Sequence, residues 1–338
     1  MVGMSKTLYE TPEYLVRRPR RNRQSPAIRD LVQETRLHPS DFVVPLFIVE
    51  GLEIQNEISA MPGVDQFSID QVIDEIRKLF QMGIRAVDLF PIIPPKQKNA
   101  MGSEALREGN LIETAVTAIK EEVPDMCVMV DVALDPYTDH GHDGILDDEG
   151  LVDNDATLDI LAEMSLLAAE AGADVIAPSD MMDGRVAHIR HHLDARGFSH
   201  VGIISYAAKY ASSLYGPFRD TLKSCVGQGN KKTYQMNPAN IREALLECTL
   251  DELEGADMLM VKPALTYLDV IAKIKENTNL PVAAYHVSGE YSMVMAAAEK
   301  GWCVADKVFE EQLTAIKRAG ADMIFTYAAR QWLANQNL

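Results

Sequence analysis

The chain has 338 residues, 47% of them hydrophobic and 24% charged, which is enough apolar material for one large domain or two ordinary ones. Lys and Arg number 32 against 50 Asp and Glu, a formal charge of -18, so binding nucleic acid or an anionic membrane over the whole surface is disfavoured. No apolar run approaches the ~20 residues of a membrane helix, and the start lacks a secretory apolar core.

Residues 1–35 differ from the rest. Arg17-Arg-Pro-Arg-Arg-Asn-Arg23 is a basic cluster around a proline without helical or strand periodicity. It reads as an arm that docks on an acidic neighbouring subunit, with a solvated tail as the alternative. From residue 36 to 338 the chain alternates between short apolar runs and amphipathic segments. The runs are Phe42–Val49, Ala86–Ile93, Met126–Leu134, Ala173–Ala177, Val201–Tyr206, Ala256–Val261, Val282–Val287 and Ala321–Tyr327. Between them, Leu158, Leu161, Ala162 and Ser165 share one helical face after Asp153 and Asn154, and Asp306 is placed to cap a helix bearing Phe309, Leu313 and Ile316. Ala171-Gly-Ala-Asp174, Glu254-Gly-Ala-Asp257 and Ala319-Gly-Ala-Asp322 each join a helix to a strand through a left-handed glycine cap, and Met82-Gly83 does similar work. Eight such β-α units favour a (β/α)8 TIM barrel with an extended N-terminal arm. No Gly-x-Gly-x-x-Gly follows any strand, which disfavours a dinucleotide fold.

The chemistry is expected at the carboxyl ends of these strands. The run Met258-Leu-Met-Val-Lys262 is a buried strand that ends on a lysine, and Pro263 stops it. An ammonium on an apolar floor loses pKa, and the free amine attacks ketones and aldehydes to give a Schiff base; snorkelling to solvent is the bland alternative. Lys209 follows the fifth strand in the same way, and two amines facing one cavity lower each other's pKa. The third strand leads into Asp131-Val-Ala-Leu-Asp-Pro-Tyr-Thr-Asp-His-Gly-His-Asp143, a carboxylate-rich loop that suits Mg²⁺ better than zinc, or is simply solvated. Ala177-Pro-Ser179-Asp-Met-Met-Asp-Gly184 is a polar turn at the same end. His188 and His192 beyond it lack a third ligand and read as helix surface. Residues 215–233, rich in Gly, Ser and Lys, look too irregular for a helix. They read as a flexible lid carrying Arg219 and Lys231 over a carboxylate, with a solvated basic loop as the alternative. The cysteines Cys127, Cys225, Cys248 and Cys303 are scattered without a Cys-x-x-Cys pair, which argues for a reducing compartment, by default the cytoplasm.

Five segments together resemble one family. Tyr206-Ala-Ala-Lys-Tyr-Ala-Ser-Ser213, Tyr215-Gly-Pro-Phe-Arg-Asp220, Tyr234-Gln-Met-Asn-Pro-Ala-Asn240, Met260-Val-Lys-Pro-Ala264 and Val287-Ser-Gly-Glu-Tyr291 look like porphobilinogen synthase, also called 5-aminolevulinate dehydratase. The likeness runs from about Arg17 to the C-terminus. It implies condensation of two 5-aminolevulinate molecules into porphobilinogen with loss of two waters, on the path to heme and chlorophyll. It further implies that Lys262 and Lys209 form Schiff bases with the first and second substrate. Arg219 and Lys231 would hold the second carboxylate, and Ser288 and Tyr327 the first. Asp131 and Ser179 would be candidates for proton transfer.

Zinc-dependent members of that family carry thiolates where this chain has Ala133, Asp135 and Asp143, so no zinc is expected. The resemblance is to the aspartate-rich, magnesium-responsive branch. It implies an allosteric Mg²⁺ at Glu247 and a homo-octamer with the arm wrapped around a neighbour. It leaves open whether a Mg²⁺ also sits in the active site at Asp135 and Asp143, two carboxylates that make a weak cage. Two readings compete with it. A class I aldolase would work through one imine on Lys262 and leave Lys209 without a role. A catalytically dead scaffold would leave no role for Lys209, Lys262, Arg219, Ser288 or Tyr327.

Overall fold

The computed structural model describes residues 17–224, 227 and 229–335. The chain up to Arg36 and the chain from Leu37 onward form two separate compact units. In the first, a 3-10 turn over Pro19–Arg23 precedes a short helix, Pro26–Leu31. Ser25 starts that helix by accepting the Ile28 N–H at 3.2 Å, and Pro26 supplies the fixed φ of a first helical position. No residue of the turn or the helix is buried.

The second unit is a barrel. Its strands are β1 (Phe42–Ile48), β4 (Ala86–Pro91), β5 (Cys127–Val132), β6 (Val175–Pro178), β7 (Gly202–Lys209), β8 (Met258–Lys262), β9 (Val282–His286) and β10 (Met323–Thr326). The short strands β2 (Gln55–Glu57) and β3 (Asp65–Phe67) extend one edge, β3 parallel to β1 and β2 antiparallel to β3. All the barrel strands run parallel, and β10 pairs back onto β1 through Phe42↔Ile324 and Val43↔Phe325, which closes the sheet. All seven residues of β1 are buried, as a strand covered on both faces requires. The eight apolar runs read from the sequence are the eight barrel strands, with ends shifted by a few residues. The two-strand extension carries no apolar run and was not foreseen.

The helix-to-strand glycines behave as their sequence context implies: Gly83, Gly172, Gly255 and Gly320 have φ of 96°, 104°, 104° and 118°. Asp153 caps the Asn154–Glu170 helix by accepting the Ala156 N–H at 3.0 Å. Asp306 does not cap its helix. The Ala305–Ala319 helix has Val304 at the cap position and makes no side-chain cap bond, so Asp306 lies in the first turn and meets only the helix dipole. The stretch expected to be irregular is also partly regular, because Gly216–Leu222 is helical. Pro217 presets its first turn, and Ser288 from beyond β9 accepts the Phe218 N–H at 3.1 Å. That second cause is a tertiary contact and leaves no local trace in the sequence. Cys225, Val226 and Gln228 of the same stretch lie outside the described residues.

Candidate active site

Two lysines face each other at the top of β7 and β8, where Lys209 and Lys262 are cross-strand partners. The pairing depends on an irregularity. Between Ser205 and Ala208 the register slips, so Ser205 opposes Leu259 while Lys209 opposes Lys262. Side chains alternate faces along a strand, so an unbroken register would have turned the two amines to opposite sides of the sheet. Behind the slip, Arg185 donates to Ser205 Oγ at 2.9 Å and to both oxygens of Asp251 at 3.0 Å.

Lys262 is buried in a cage of rings. Its Nζ lies 4.2 Å from the centre of Tyr285, 4.9 Å from Tyr206, 5.2 Å from Phe218 and 5.6 Å from Tyr215. Burial pushes its pKa down to about 7 and Lys209 pushes the same way, against the pull of Asp131, Asp88 and Asp135. Lys209 is differently placed: it donates to the Ser179 carbonyl and, at 3.5 Å, to Asp143 Oδ2. One amine therefore sits among aromatic faces, and the other is held by oxygen.

The carboxylates also divide. Asp131, near the end of β5, accepts a hydrogen bond from the Ser179 hydroxyl at 3.0 Å. Burial raises its pKa to about 6 in spite of Lys262 and Lys209, so it can hold or release a proton near neutrality. Asp143 goes the other way: although burial opposes its charge, Lys209 and Lys231 bring its pKa to about 2. Lys231 is not an exposed lid residue. It is buried, and its Nζ donates to Asp143 Oδ1 at 2.6 Å and to Asp135 Oδ2 at 3.2 Å. Burial works against its ammonium, yet Asp135 and Asp143 hold its pKa above the ordinary value.

Arg219 sits on the Gly216–Leu222 helix with its guanidinium 5.4 Å from the Tyr215 ring. It shares a small cavity with Asp131, Asp135, Ser179, Lys209, Lys231 and Lys262, whose free volume of about 20 Å³ has room for little more than one water. Ser288 and Tyr327 are not among the residues lining it. Ser288 accepts the Phe218 N–H of the helix that carries Arg219, and the Tyr327 hydroxyl lies 3.2 Å from that of Tyr285, whose ring forms part of the Lys262 cage.

A family profile described as delta-aminolevulinic acid dehydratase matches residues 16–335. The chain belongs to the delta-aminolevulinic acid dehydratase family. A relative of that name from Chlamydia pneumoniae is 54% identical, over 93% of this chain and 95% of its own length. One from Synechococcus elongatus is 51% identical, over 94% of this chain and 98% of its own. A chloroplastic relative from Glycine max is 51% identical, over 94% of this chain and 77% of its own. Among solved structures, the delta-aminolevulinic acid dehydratase (porphobilinogen synthase) of Toxoplasma gondii, in complex with the reaction product porphobilinogen, superposes with a TM-score of 0.92. It is 47% identical and covers 94% of this chain and 91% of that one.

The dehydratase fold puts the remaining sequence candidates elsewhere. Glu247 lies on the Arg242–Glu254 helix, half-buried, and faces a separate groove that also presents Asn154, Asp183 and Glu243. Burial raises its pKa to about 6, with Arg185 opposing and Asp251, Asp183 and Glu243 adding to the rise. Among the described residues, no three His, Cys, Asp or Glu side chains converge as a metal cluster. At Asp135 and Asp143 the place between the carboxylates is taken by the Lys231 ammonium, so a cation there would have to displace it. His188 and His192 instead pair with Asp159 at 2.9 Å and Glu163 at 3.3 Å on the neighbouring helix.

Sequence reasoning missed the ring cage of Tyr206, Tyr215, Phe218 and Tyr285, and it missed Asp88. The rings come from three separate places in the chain, Tyr206, the Tyr215–Phe218 stretch and Tyr285, and read locally as core. Asp88 did carry a signal: it is a lone carboxylate inside the apolar run Ala86-Val-Asp-Leu-Phe-Pro91, much as Asp131 is in the next strand.

Proposed function

We propose that this chain is a porphobilinogen synthase, a hydro-lyase of tetrapyrrole synthesis, and that it joins two 5-aminolevulinate molecules through imines on Lys262 and Lys209. The carrying observation is the register that sets these two lysines side by side, one of them an amine with a pKa of about 7. The Lys262 amine adds to the ketone carbon of the first substrate, and loss of water leaves the imine. Its nitrogen withdraws electrons from the neighbouring carbon, which eases removal of a proton there. Asp131, held by Ser179, is suited to moving that proton, because its pKa of about 6 lets it act in either direction. Lys209 takes the second substrate once it exchanges Ser179 and Asp143 for the ketone.

In this reading Arg219 and Lys231 bind the second substrate's carboxylate, Lys231 leaving Asp135 and Asp143 to do so. Ser288 and Tyr327 bind the first. A cavity that holds about one water must open before either substrate enters. The Gly216–Leu222 helix, which brings Phe218 and Arg219 over the lysines, is the element we assign to that opening. Charge then enters with closure, when the cationic groups meet the substrate out of water.

We further propose a Mg²⁺ at Glu247, with water completing its coordination, since Mg²⁺ commonly binds through one or two carboxylates and keeps several waters. The acidic neighbours Asp183, Asp251 and Glu243, which raise the Glu247 pKa, supply a field that a cation would relieve. Assembly to a homo-octamer through the arm and a cytoplasmic location belong to the same proposal. No described helix is long and apolar enough to cross a membrane.

The test is direct. Incubation with 5-aminolevulinate should yield a pyrrole, and borohydride should fix substrate on Lys262 and Lys209. Fixation without a pyrrole would favour the one-imine aldolase reading. Lys262→Ala should abolish turnover, and normal activity in that variant would remove the proposal.

A further inference from the structure

Asp88 is a buried acid for which the mechanism above has no use. It lies in β4, where every residue from Val87 onward is buried, and it is 0% exposed. It pairs in register with Met129, two residues deeper in the barrel than Asp131. Tyr206 of β7 reaches its Oδ2 across the barrel and donates at 3.4 Å, so the carboxyl points into the interior. Oδ1 has no hydrogen-bond partner among the described residues. A carboxyl left half-satisfied inside a barrel destabilises the fold, so its presence calls for an explanation.

Its surroundings supply one. The Tyr206 ring lies 4.9 Å from Lys262 Nζ and the Tyr285 ring 4.2 Å from it, while the Tyr285 and Tyr327 hydroxyls are 3.2 Å apart. The titratable groups facing Asp88 are Asp131 of β5, Lys262 of β8, Tyr206 of β7, Tyr285 of β9 and Tyr327 after β10, with Cys127 at the start of β5. Of these, only Lys262 becomes positive. Burial holds the Asp88 carboxyl well above the ordinary range, Asp131 adds to this, and Lys262 works in the opposite direction.

A positive nitrogen at Lys262 is awkward in this place. Lys209 repels it, and aromatic faces compensate only in part. Asp131 touches the cavity and has a task on the substrate, whereas Asp88 does not line the cavity at all. We infer that Asp88 is the buried counter-charge of Lys262, keeping its proton while the amine is free and giving it up when that nitrogen turns positive. One proton leaves the Asp88 carboxyl and one is gained at the Lys262 nitrogen, as ammonium or as iminium. The interior thus changes no net charge, which avoids the large cost of an isolated ion in a medium of low dielectric. Asp88 is then a positioning residue that acts through Lys262 and does not meet the substrate. This inference rests on Lys262 being the imine lysine.

The experiment uses the full chain and levulinate, a 4-keto acid without the amino group, which can form an imine but cannot complete a pyrrole. Borohydride capture at Lys262 is followed against pH in the parent, Asp88→Asn and Asp88→Ala, and turnover of 5-aminolevulinate is measured beside it. Asn keeps the shape and the bond from Tyr206 but not the charge. Without the counter-charge the ammonium is less stable, so the half-point of capture should fall by about one pH unit or more in both variants. Turnover should fall about tenfold for a shift of that size. A merely structural role would lower the melting temperature of the Ala variant and leave both half-points where the parent has them. An unshifted half-point in whichever variant folds overturns the inference. Absence of capture in the parent would instead overturn the imine assignment on which it rests.

Discussion

Lys262 and Lys209 are chemically the same residue, and their surroundings make them different reagents. Burial among four rings, with Lys209 pushing the same way, brings the Lys262 pKa to about 7, so a large share of it is free amine near neutrality. Lys209 is anchored on the Ser179 carbonyl and Asp143. The sign of the coupling between them can be tested. Lys209 depresses the Lys262 pKa by repulsion, so Lys209→Ala should raise the half-point of borohydride capture at Lys262, opposite in direction to the change expected for Asp88→Asn. In the parent, capture should be weak below about pH 7, where the ammonium dominates, and should rise as the pH passes through that value. A downward shift in Lys209→Ala would mean that the two amines do not share one field.

At the scale of elements, the site depends on two backbone features: the register slip in β7 and the tight passage of the Ser213–Tyr215 turn over Gly289. A Cβ at Gly289 would lie 2.4 Å from the Leu214 carbonyl oxygen and 2.8 Å from its Cα, so the backbone would have to move. That turn leads into the Gly216–Leu222 helix, which supplies Phe218 to the Lys262 cage and carries Arg219. Gly289→Ala should therefore cost about 1–3 kcal/mol in denaturant unfolding, typical of forced overpacking. It should lower turnover more than it lowers imine capture, because Lys262 stays on its own strand. Unchanged stability and turnover would show that the turn yields freely. These features also mark how far the sequence could be read. The eight strands were legible because each is a short apolar run, most of them bounded by Gly, Pro or Asp, and Lys262 was legible because it ends such a run. The slip between Ser205 and Ala208 was not, since the backbone leaves no residue-type signature there. Nor was the burial of Lys231, whose partners Asp135 and Asp143 lie far away in sequence and whose own segment reads as polar loop.

For the whole molecule, the distribution of charge is where the proposed assembly and Mg²⁺ response can be tested. Overall the chain carries -18, yet Arg17, Arg18, Arg20, Arg21 and Arg23 crowd the start of the described residues, and Leu31 in the helix after them is 82% exposed. A basic arm with an uncovered apolar side chain suits docking on an acidic second copy of this chain, where charge steers and the apolar side chain is buried. Glu247 fits the same scale, because it lies outside the lysine cavity, on an outer helix beside Asp183, Asp251 and Glu243. A cation bound there can act only by favouring one assembly or conformation over another, and its effect is limited by the difference in affinity between the two. Glu247→Ala should lose stimulation by Mg²⁺ while keeping basal turnover, and it should dissociate more readily on dilution, as followed by light scattering. Asp135→Ala should behave differently. It removes one of the two carboxylates that hold the buried Lys231, so turnover and stability should both fall whether or not Mg²⁺ is present. Zinc should restore neither variant, since Asp135, Asp143 and Glu247 offer it carboxylates in place of thiolates. Should Glu247→Ala respond to Mg²⁺ as the parent does, control does not pass through this helix, and the ion must act by displacing Lys231 from Asp135 and Asp143.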